Sequence, residues 1–345
     1  MRRTDKRGDD ELAWGLLSRA HALYLSTTDP AGEPLLRPLH AVVWGDGAER
    51  CLAFHGAPAG EKTTAVGRPA VAMAHEVVAD LPSTFRHPEK ACPATTLYRS
   101  ASVHGVLEPV DDLPARAEVL QRLMERFQPR GGYRPITHDD PLYAASVRGI
   151  GLWRLRPTRV AAKVALAQHH RPEVRRRLVR CLWERGDPGD VRAAQDIVDA
   201  APLEPPPELL QGPHGTRLVL AAGDRHVAPV VALLRDQYWN TTVDDATLAA
   251  AQPASTVWMV LLHGDTLVAT ARGLSDGHKS SYVMDVAVDP TWRGRGLGRF
   301  LVQRLVDHPR LRGTRVDLLT RDAGPFYEGL GFRPMPWSQP WRHSP

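Results

Sequence analysis

The sequence predicts two domains of different class: a small β-barrel with a few helices in the first two hundred residues, then an α/β domain with a mixed central sheet over 216–336. Three observations predict this. At 345 residues the chain is too long for one ordinary core and comfortable for two. The first half reads as short apolar runs parted by Gly, Asp and Pro turns, whereas the second alternates strand with helix. Between the halves, Pro205, Pro206 and Pro207 resist both helix and sheet and read as a stiff linker over 201–215.

Composition bounds the function. Hydrophobic residues at 43% and charged residues at 24% suit a soluble globular protein. No apolar run is long enough to cross a bilayer, and the charged start MRRTDKRGDDE shows no signal peptide. Cys51, Cys92 and Cys181 are scattered without metal-ligand or disulfide spacing, so a reducing, cytoplasmic setting and no metal site are expected. The net charge of +5 is carried mainly by arginine, in a chain also rich in Ala, Pro and Gly, so nucleic acid is not the expected partner.

In order, Leu12, Leu16 and Leu17 mark a helix over 10–21. Strands follow at 22–27, 34–44, 51–55, 71–78 and 96–107, then an amphipathic helix over 113–127 introduced by Asp112, then strands at 150–155 and 159–166. Six or so strands with few helices make a barrel of about 150 residues. Three stretches carry polar chemistry: His55-Gly56-Ala-Pro-Ala-Gly60-Glu-Lys62 after a strand, Tyr98-Arg99-Ser100 on a strand, and Gln168-His169-His170-Arg171-Pro172 before a helix. With Ser26-Thr27 and Arg37-Pro38, they resemble the FMN-binding split barrels of the pyridoxamine-phosphate-oxidase-like superfamily, nearest the nitroimidazole-resistance and flavin-binding negative-regulator branches. The resemblance covers about 8–200. It implies a homodimer with FMN, or haem as the alternative, in a groove between subunits. His55 and Lys62 would neutralise the flavin phosphate, Gly56 and Gly60 would admit the backbone, and Tyr98, Arg99 and Ser100 would add hydrogen bonds. The family's usual Gly-Gln-Asn-Arg stands here as Ala167-Gln168-His169-His170.

Helical spacing over 172–200 breaks at Gly186-Asp187-Pro188-Gly189, and Arg171, Arg175, Arg176, Arg177 and Arg180 make one face basic. A solvated face beside the barrel is the expected reading. A DNA-contacting helix is the alternative, and no helix-turn-helix pattern supports it.

The C-terminal half expects a strand at 216–221, helices at 226–238 and 242–251, a hairpin over 256–273 around Gly264-Asp265, and a strand at 282–288. A helix over 297–306, a strand at 315–320, a short helix at 324–329 and a last strand at 332–335 follow. Arg293, Gly294, Arg295, Gly296, Leu297 and Gly298 join the 282–288 strand to its helix. Glycines there let main-chain N–H groups face an anion at the helix N-terminus, which makes a pyrophosphate cradle with arginine assistance. No Lys-Ser/Thr pair follows, so it is not a P-loop, and the dinucleotide GxGxxG spacing is absent.

The Arg-x-x-Gly-x-Gly pattern after an apolar strand resembles the acetyl-CoA loop of the GNAT acyltransferases, and the element order is theirs over 216–336. A second motif, Thr320-Arg321-Asp322-Ala323-Gly-Pro-Phe326-Tyr327-Glu328 before Gly331-Phe332, strengthens the likeness. It implies acetyl-CoA as cosubstrate, with Arg299 near the phosphates and Val286, Ala287 and Val288 lending backbone groups to the pantetheine arm. Tyr327 would protonate the leaving thiolate. Asp285 is a candidate base or amine-binding carboxylate, with a structural pairing to Arg272 or Arg321 as the equal alternative. Tyr238, Trp239, Arg272, Asp276, Thr320, Arg321 and Asp322 resemble the acceptor cleft of one bacterial branch.

The expected function is acetyl-CoA-dependent N-acetylation of a small amine by a domain fused to a flavin-binding barrel. The alternatives are a flavin- or haem-sensing regulator, and an FMN-dependent reductase of nitro or quinone compounds.

Overall fold

A computed structural model describes residues 6–335 of the chain, so residues 1–5 and 336–345, Pro336 at the end of the expected second domain among them, lie outside the description. The chain divides into two compact units, 1–81 with 95–169, and 82–94 with 170–345.

The first unit is one curled antiparallel sheet. Its elements are β1 (Arg7–Gly8), α1 (Asp10–Arg19), β2 (Leu23–Thr28), β3 (Pro34–Leu39), β4 (Val42–Trp44), β5 (Cys51–Gly56), α2 (Glu61–Thr64), β6 (Pro69–Leu81), β7 (Thr95–Pro109), α3 (Leu113–Phe127), α4 (Ala144–Gly149) and β8 (Gly151–Ala165). Strand order is β3-β2-β6-β7-β8-β5-β4, with β1 also on β8. Alternation does the folding: Leu23 and Leu25 of β2 point inward with Leu52, Phe54, Val103, Leu107 and Leu155, and the buried Trp14, Leu16 and Leu17 of α1 close the core. Asp9 caps α1 by accepting the Leu12 N–H at 2.7 Å, and Asp112 caps α3 through Ala115 N–H at 2.9 Å. The two strands expected over 150–166 are one, β8, which bends at Pro157 where its register with β7 shifts.

The second unit begins with α5 (Pro172–Arg185) and α6 (Asp190–Ala200), which break at Gly186 and Gly189, both at positive φ. Then come β9 (Arg217–Val219), α7 (Val227–Leu234), α8 (Asp245–Ala251), β10 (Val257–His263), β11 (Thr266–Ser275), β12 (Ser280–Val288), α9 (Leu297–Val306), β13 (Arg315–Asp317) and α10 (Gly324–Glu328). The sheet runs β13-β12-β11-β10-β9, with only β12 and β13 parallel. Helix α9 packs on β10, β11 and β12, and the buried Val230, Val231, Leu234 and Leu248 of α7 and α8 join Trp258, Val260 and Ala287 in a core. Covered on both faces, β10 is apolar almost throughout.

Three expectations change here. The helices over 172–200 belong to the second unit, because Gln195 Oε1 accepts the Leu220 N–H at 2.8 Å and Trp183 meets the His308 ring edge-on at 5.4 Å. The 201–215 stretch is packed rather than a free spacer, with Leu203 and Leu210 buried. No strand forms at 332–335, where Phe332 N–H turns back to the Tyr327 carbonyl and Pro334 removes a donor. Two of the arginines expected on the basic face are engaged: Arg175 is buried and donates to the Ile197 and Ala201 carbonyls, and Arg176 donates to Pro205 O at 2.7 Å. These two fix the end of α6 and the proline stretch, while Arg171, Arg177 and Arg180 are exposed.

Candidate active site

The site is built on a defect in β12. Thr270 pairs with Ala287 and Arg272 with Met284, so Asp285 and Val286 together oppose the single residue Ala271. This is a β-bulge, and it puts Asp285 at φ 50°, an unusual conformation for a residue other than glycine. On its other side β12 pairs with β13 only over Ser280, Ser281 and Tyr282. Beyond Tyr282 that edge has no strand partner among the described residues, and its backbone groups face a cleft.

Past β12, Asp289 caps a tight turn by accepting the Thr291 N–H at 2.8 Å, and the loop reaches α9 through Gly294 at φ 74° and Gly296 at φ 79°. The first-turn N–H groups of α9 have no intrahelical acceptor and point out of the helix start. A cleft of about 630 Å³ lies there. Val286, Ala287, Val288, Arg293, Gly294, Gly296, Leu297, Gly298 and Arg299 line one side, and Tyr238, Trp239, Phe326 and Tyr327 the other.

The structure brings the loop residues together along the cleft. Arg299 donates to the Gly329 carbonyl at 3.0 Å and so ties α9 to the end of α10. Arg293 Nε donates to Val288 O at 3.3 Å, and the Arg295 guanidinium lies 4.8 Å from the Trp292 ring centroid, outside the cleft lining. Arg293 and Arg299 also line the cleft, so guanidinium groups stand there beside the main-chain N–H groups of the loop.

A second cavity of about 690 Å³ lies on the other side of Tyr327. The two cavities share Tyr238, Trp239, Val286, Asp322, Ala323 and Tyr327. Tyr327 is half-buried between Phe326 and Phe332, with ring centroids at 4.9 and 5.7 Å. Burial, with a smaller contribution from Tyr238, pushes its phenol above the ordinary tyrosine range, so it is protonated at neutral pH.

Asp285 lines the second cavity. Oδ2 accepts from Arg272 Nε at 2.5 Å and from Gln252 Nε2 at 3.5 Å, and Oδ1 accepts from Trp239 Nε1 at 3.0 Å. Of the two readings the sequence left open, the geometry is that of the Arg272 pairing, and one acceptor position on Oδ1 is left for a further donor. Tyr238, Trp239, Arg272, Thr320, Arg321 and Asp322 line the cavity as expected. Asp276 does not: its Oδ1 accepts the N–H groups of His278, Lys279 and Ser280, which draws its carboxyl down to about 2. Sequence reading missed Gln252 and Tyr282, whose one signal was nearness in the fold to Asp285.

In the barrel, His55, Gly56 and Lys62 come together. Lys62 Nζ lies 5.7 Å from the Trp153 ring centroid, and a Cβ on Gly56 would stand 2.8 Å from that ammonium, so a side chain there would push the lysine aside. Desolvation, then the neighbouring Lys62 and His40, hold the His55 imidazole below the usual histidine range. Gly60 starts α2 at φ 124°. The other half of the expected flavin set is elsewhere. His55 pairs with Leu152 of β8, whereas Ser100 pairs with Lys163 and Tyr98 with Ala165. The groups are separated by some eleven residues of one strand, about 36 Å of contour. Arg99 pairs with Glu76 at 3.5 Å, and Lys163 Nζ lies 5.2 Å from the Tyr98 ring centroid. The two groups thus lie at well-separated positions along β8.

Comparison with known proteins accords with this geometry. Residues 227–332 match the acetyltransferase (GNAT) family. The C-terminal domain is a GNAT acetyltransferase domain. Residues 9–164 match the pyridoxamine 5′-phosphate oxidase family, so the GNAT domain follows a pyridoxamine-oxidase-like split barrel. The chain is 45% identical over 65 residues to the mycothiol acetyltransferase of Thermobifida fusca, covering 17% of this chain and 20% of that protein. It is 41% identical over 59 residues to the glucosamine 6-phosphate N-acetyltransferase of Trypanosoma brucei brucei, covering 16% and 40%. The chain thus spans two fifths or less of the length of these curated relatives. A solved FAD and haem binding protein of Mycobacterium smegmatis is 19% identical, covering 46% of this chain and 73% of that one, with a TM-score of 0.38. No helix among the described residues is long and apolar enough to cross a membrane.

Proposed function

We propose that the chain transfers an acetyl group from acetyl-CoA to a small amine in its GNAT domain. The observation that carries this reading is Tyr327, the phenol shared by the cleft beneath the glycine loop and the cavity beside Asp285. The pyrophosphate sits on the N–H groups of the loop and the first turn of α9, with Gly294, Arg295, Gly296, Leu297 and Gly298 forming the cradle. The pantetheine lies along the unpaired edge of β12 at Val286, Ala287 and Val288 and takes hydrogen bonds as an added strand would. Main-chain N–H at the bulge polarises the thioester carbonyl. The neutral amine attacks that carbon, the C–N bond forms and the C–S bond breaks. Tyr327 protonates the departing sulfur and is reprotonated by the proton the amine releases. Asp285, held by Arg272 and Trp239, positions the acceptor side of the site.

The test is acetyl-CoA-dependent thiol release with a panel of amines, alongside calorimetric binding of acetyl-CoA. Absence of binding at micromolar protein overturns the assignment.

In the same reading the barrel forms a homodimer in the cytoplasm and takes FMN, with haem as the alternative, between two copies. Two features support the dimer. The His55 and Tyr98 groups stand some eleven residues apart along β8, as suits a site completed by a second copy, and Tyr24, Leu36, Met73 and Val77 leave an apolar patch exposed on adjoining strands. Sedimentation of the full chain and its absorption spectrum test both parts; a colourless monomer overturns them.

A further inference from the structure

We infer the chemical class of the acceptor, an inference that rests on the acetyl-transfer reading: a monocationic primary amine whose body is apolar and ring-bearing, not a phosphorylated sugar, an acidic metabolite or a polyamine. The cavity beyond Tyr327 is walled by the rings of Tyr238, Trp239 and Tyr282 and by Leu248 and Val283. At about 690 Å³ it has room for a bicyclic amine.

Its charges decide against anionic acceptors. Among the described residues no lysine lines it. Of its arginines, Arg272 is nearly buried and paired with Asp285 at 2.5 Å, and Arg321 is exposed, with its guanidinium carbon 3.9 Å from the Tyr238 ring centroid and Asp322 at 3.8 Å. Two cations against two carboxylates leave the lining balanced, so a phosphate entering it would lose hydration without gaining an unpaired partner. A polyamine fares no better, since only Asp285 and Asp322 bring negative charge to the lining, each with an arginine beside it, and the other polar side chains there, Asn240, Thr247 and Thr320, are neutral. A single ammonium can approach Asp285 along the face of Trp239, where ring and carboxylate both favour it. After one proton passes to solvent, the neutral amine attacks the thioester carbon, the C–S bond breaks, and the products are the N-acetyl amide and the CoA thiol.

The experiment measures thiol release by the full chain with acetyl-CoA and, separately, 2-phenylethylamine, tryptamine, glucosamine 6-phosphate and spermidine. The aromatic amines are expected to show kcat/KM at least tenfold above the other two. Equal or better turnover of glucosamine 6-phosphate or spermidine overturns the acceptor class and leaves acetyl transfer standing. So does a chain that binds acetyl-CoA but turns over none of the four. A chain that neither binds acetyl-CoA nor releases thiol overturns the acetyl-transfer reading instead. Tyr282→Ala, which removes a ring from the acceptor cavity but not from the cofactor cleft, should raise KM for 2-phenylethylamine about tenfold with the acetyl-CoA dissociation constant within twofold. An unchanged KM overturns the assignment of that wall.

Discussion

Arg272 Nε stands 2.5 Å from Asp285 Oδ2, bridging adjacent strands across the bulge that holds Asp285 at φ 50°. Both side chains are nearly buried, at 11% and 6% exposure, so each is the other's main compensation for leaving water. Asp285→Ala should therefore destabilise the domain by about 3 kcal/mol through the unpaired guanidinium, and Arg272→Met with Asp285→Leu should recover much of that. Urea midpoints of the three variants check it. The pair also separates a base from a positioning group. If Asp285 positions the acceptor, Asp285→Asn raises the amine KM and leaves the acid limb of the pH–rate profile in place. Loss of that limb would restore Asp285 as the base.

Tyr327 should separate chemistry from binding. Tyr327→Phe keeps the ring between Phe326 and Phe332 and removes only the proton donor. General acid catalysis of this kind is worth roughly a hundredfold or more, so kcat should fall by about that factor with acetyl-CoA affinity within twofold. Because burial raises the phenol, activity should persist as pH rises through 9 and decline only when the phenolate forms. Unchanged turnover in Tyr327→Phe would remove it from the reaction.

What could be read from the chain follows from how local each feature is. The loop from Arg293 to Gly298 and the phenol of Tyr327 were legible because each sits in a contiguous motif whose glycines and spacing fix the backbone. The Asp112 cap was legible for the same reason, and Asp112 accepts the Ala115 N–H at 2.9 Å. What was not legible depends on register. No local pattern says that a bulge opposes two residues to Ala271, or that Asp285 therefore meets Arg272, Trp239 and Gln252. The direction of Arg299 was hidden because its acceptor, the Gly329 carbonyl, is thirty residues on. The barrel motifs were legible as stretches, but their spacing along β8, some eleven residues, comes from strand register that no local pattern shows.

Gly296 tests the cradle without testing the fold. A Cβ there meets nothing within 4 Å, so the cost of a side chain is the left-handed backbone itself, about 1–2 kcal/mol. Gly296→Val should remain folded while losing acetyl-CoA binding, because relaxing φ turns the loop N–H groups away and the branched side chain stands where the pyrophosphate would lie. Calorimetric titration of a variant whose circular dichroism matches the parent decides it. Retained affinity would remove the loop from pyrophosphate binding.

His308 gives the second unit a signature in acid. Its ring is 3% exposed, its Nδ1 accepts the Arg310 N–H at 3.0 Å, and Trp183 lies edge-on against it. Burial first, then Arg310 and Arg312, push the imidazole down to about 3, so the native protein holds it neutral. In the unfolded chain the same group titrates near its ordinary value of about 6.5. Between those two values the unfolded state binds a proton that the native state refuses. Stability from this residue is thus complete above pH 6.5 and falls as the solution is acidified towards 3, by at most about 1.4 kcal/mol per pH unit. Asn at 308 can accept the Arg310 N–H without titrating. His308→Asn should begin less stable at neutral pH through lost packing, yet its melting temperature should fall less than the parent's between pH 6.5 and 4. Parallel melting curves across that window would show that the acid sensitivity of this unit arises elsewhere.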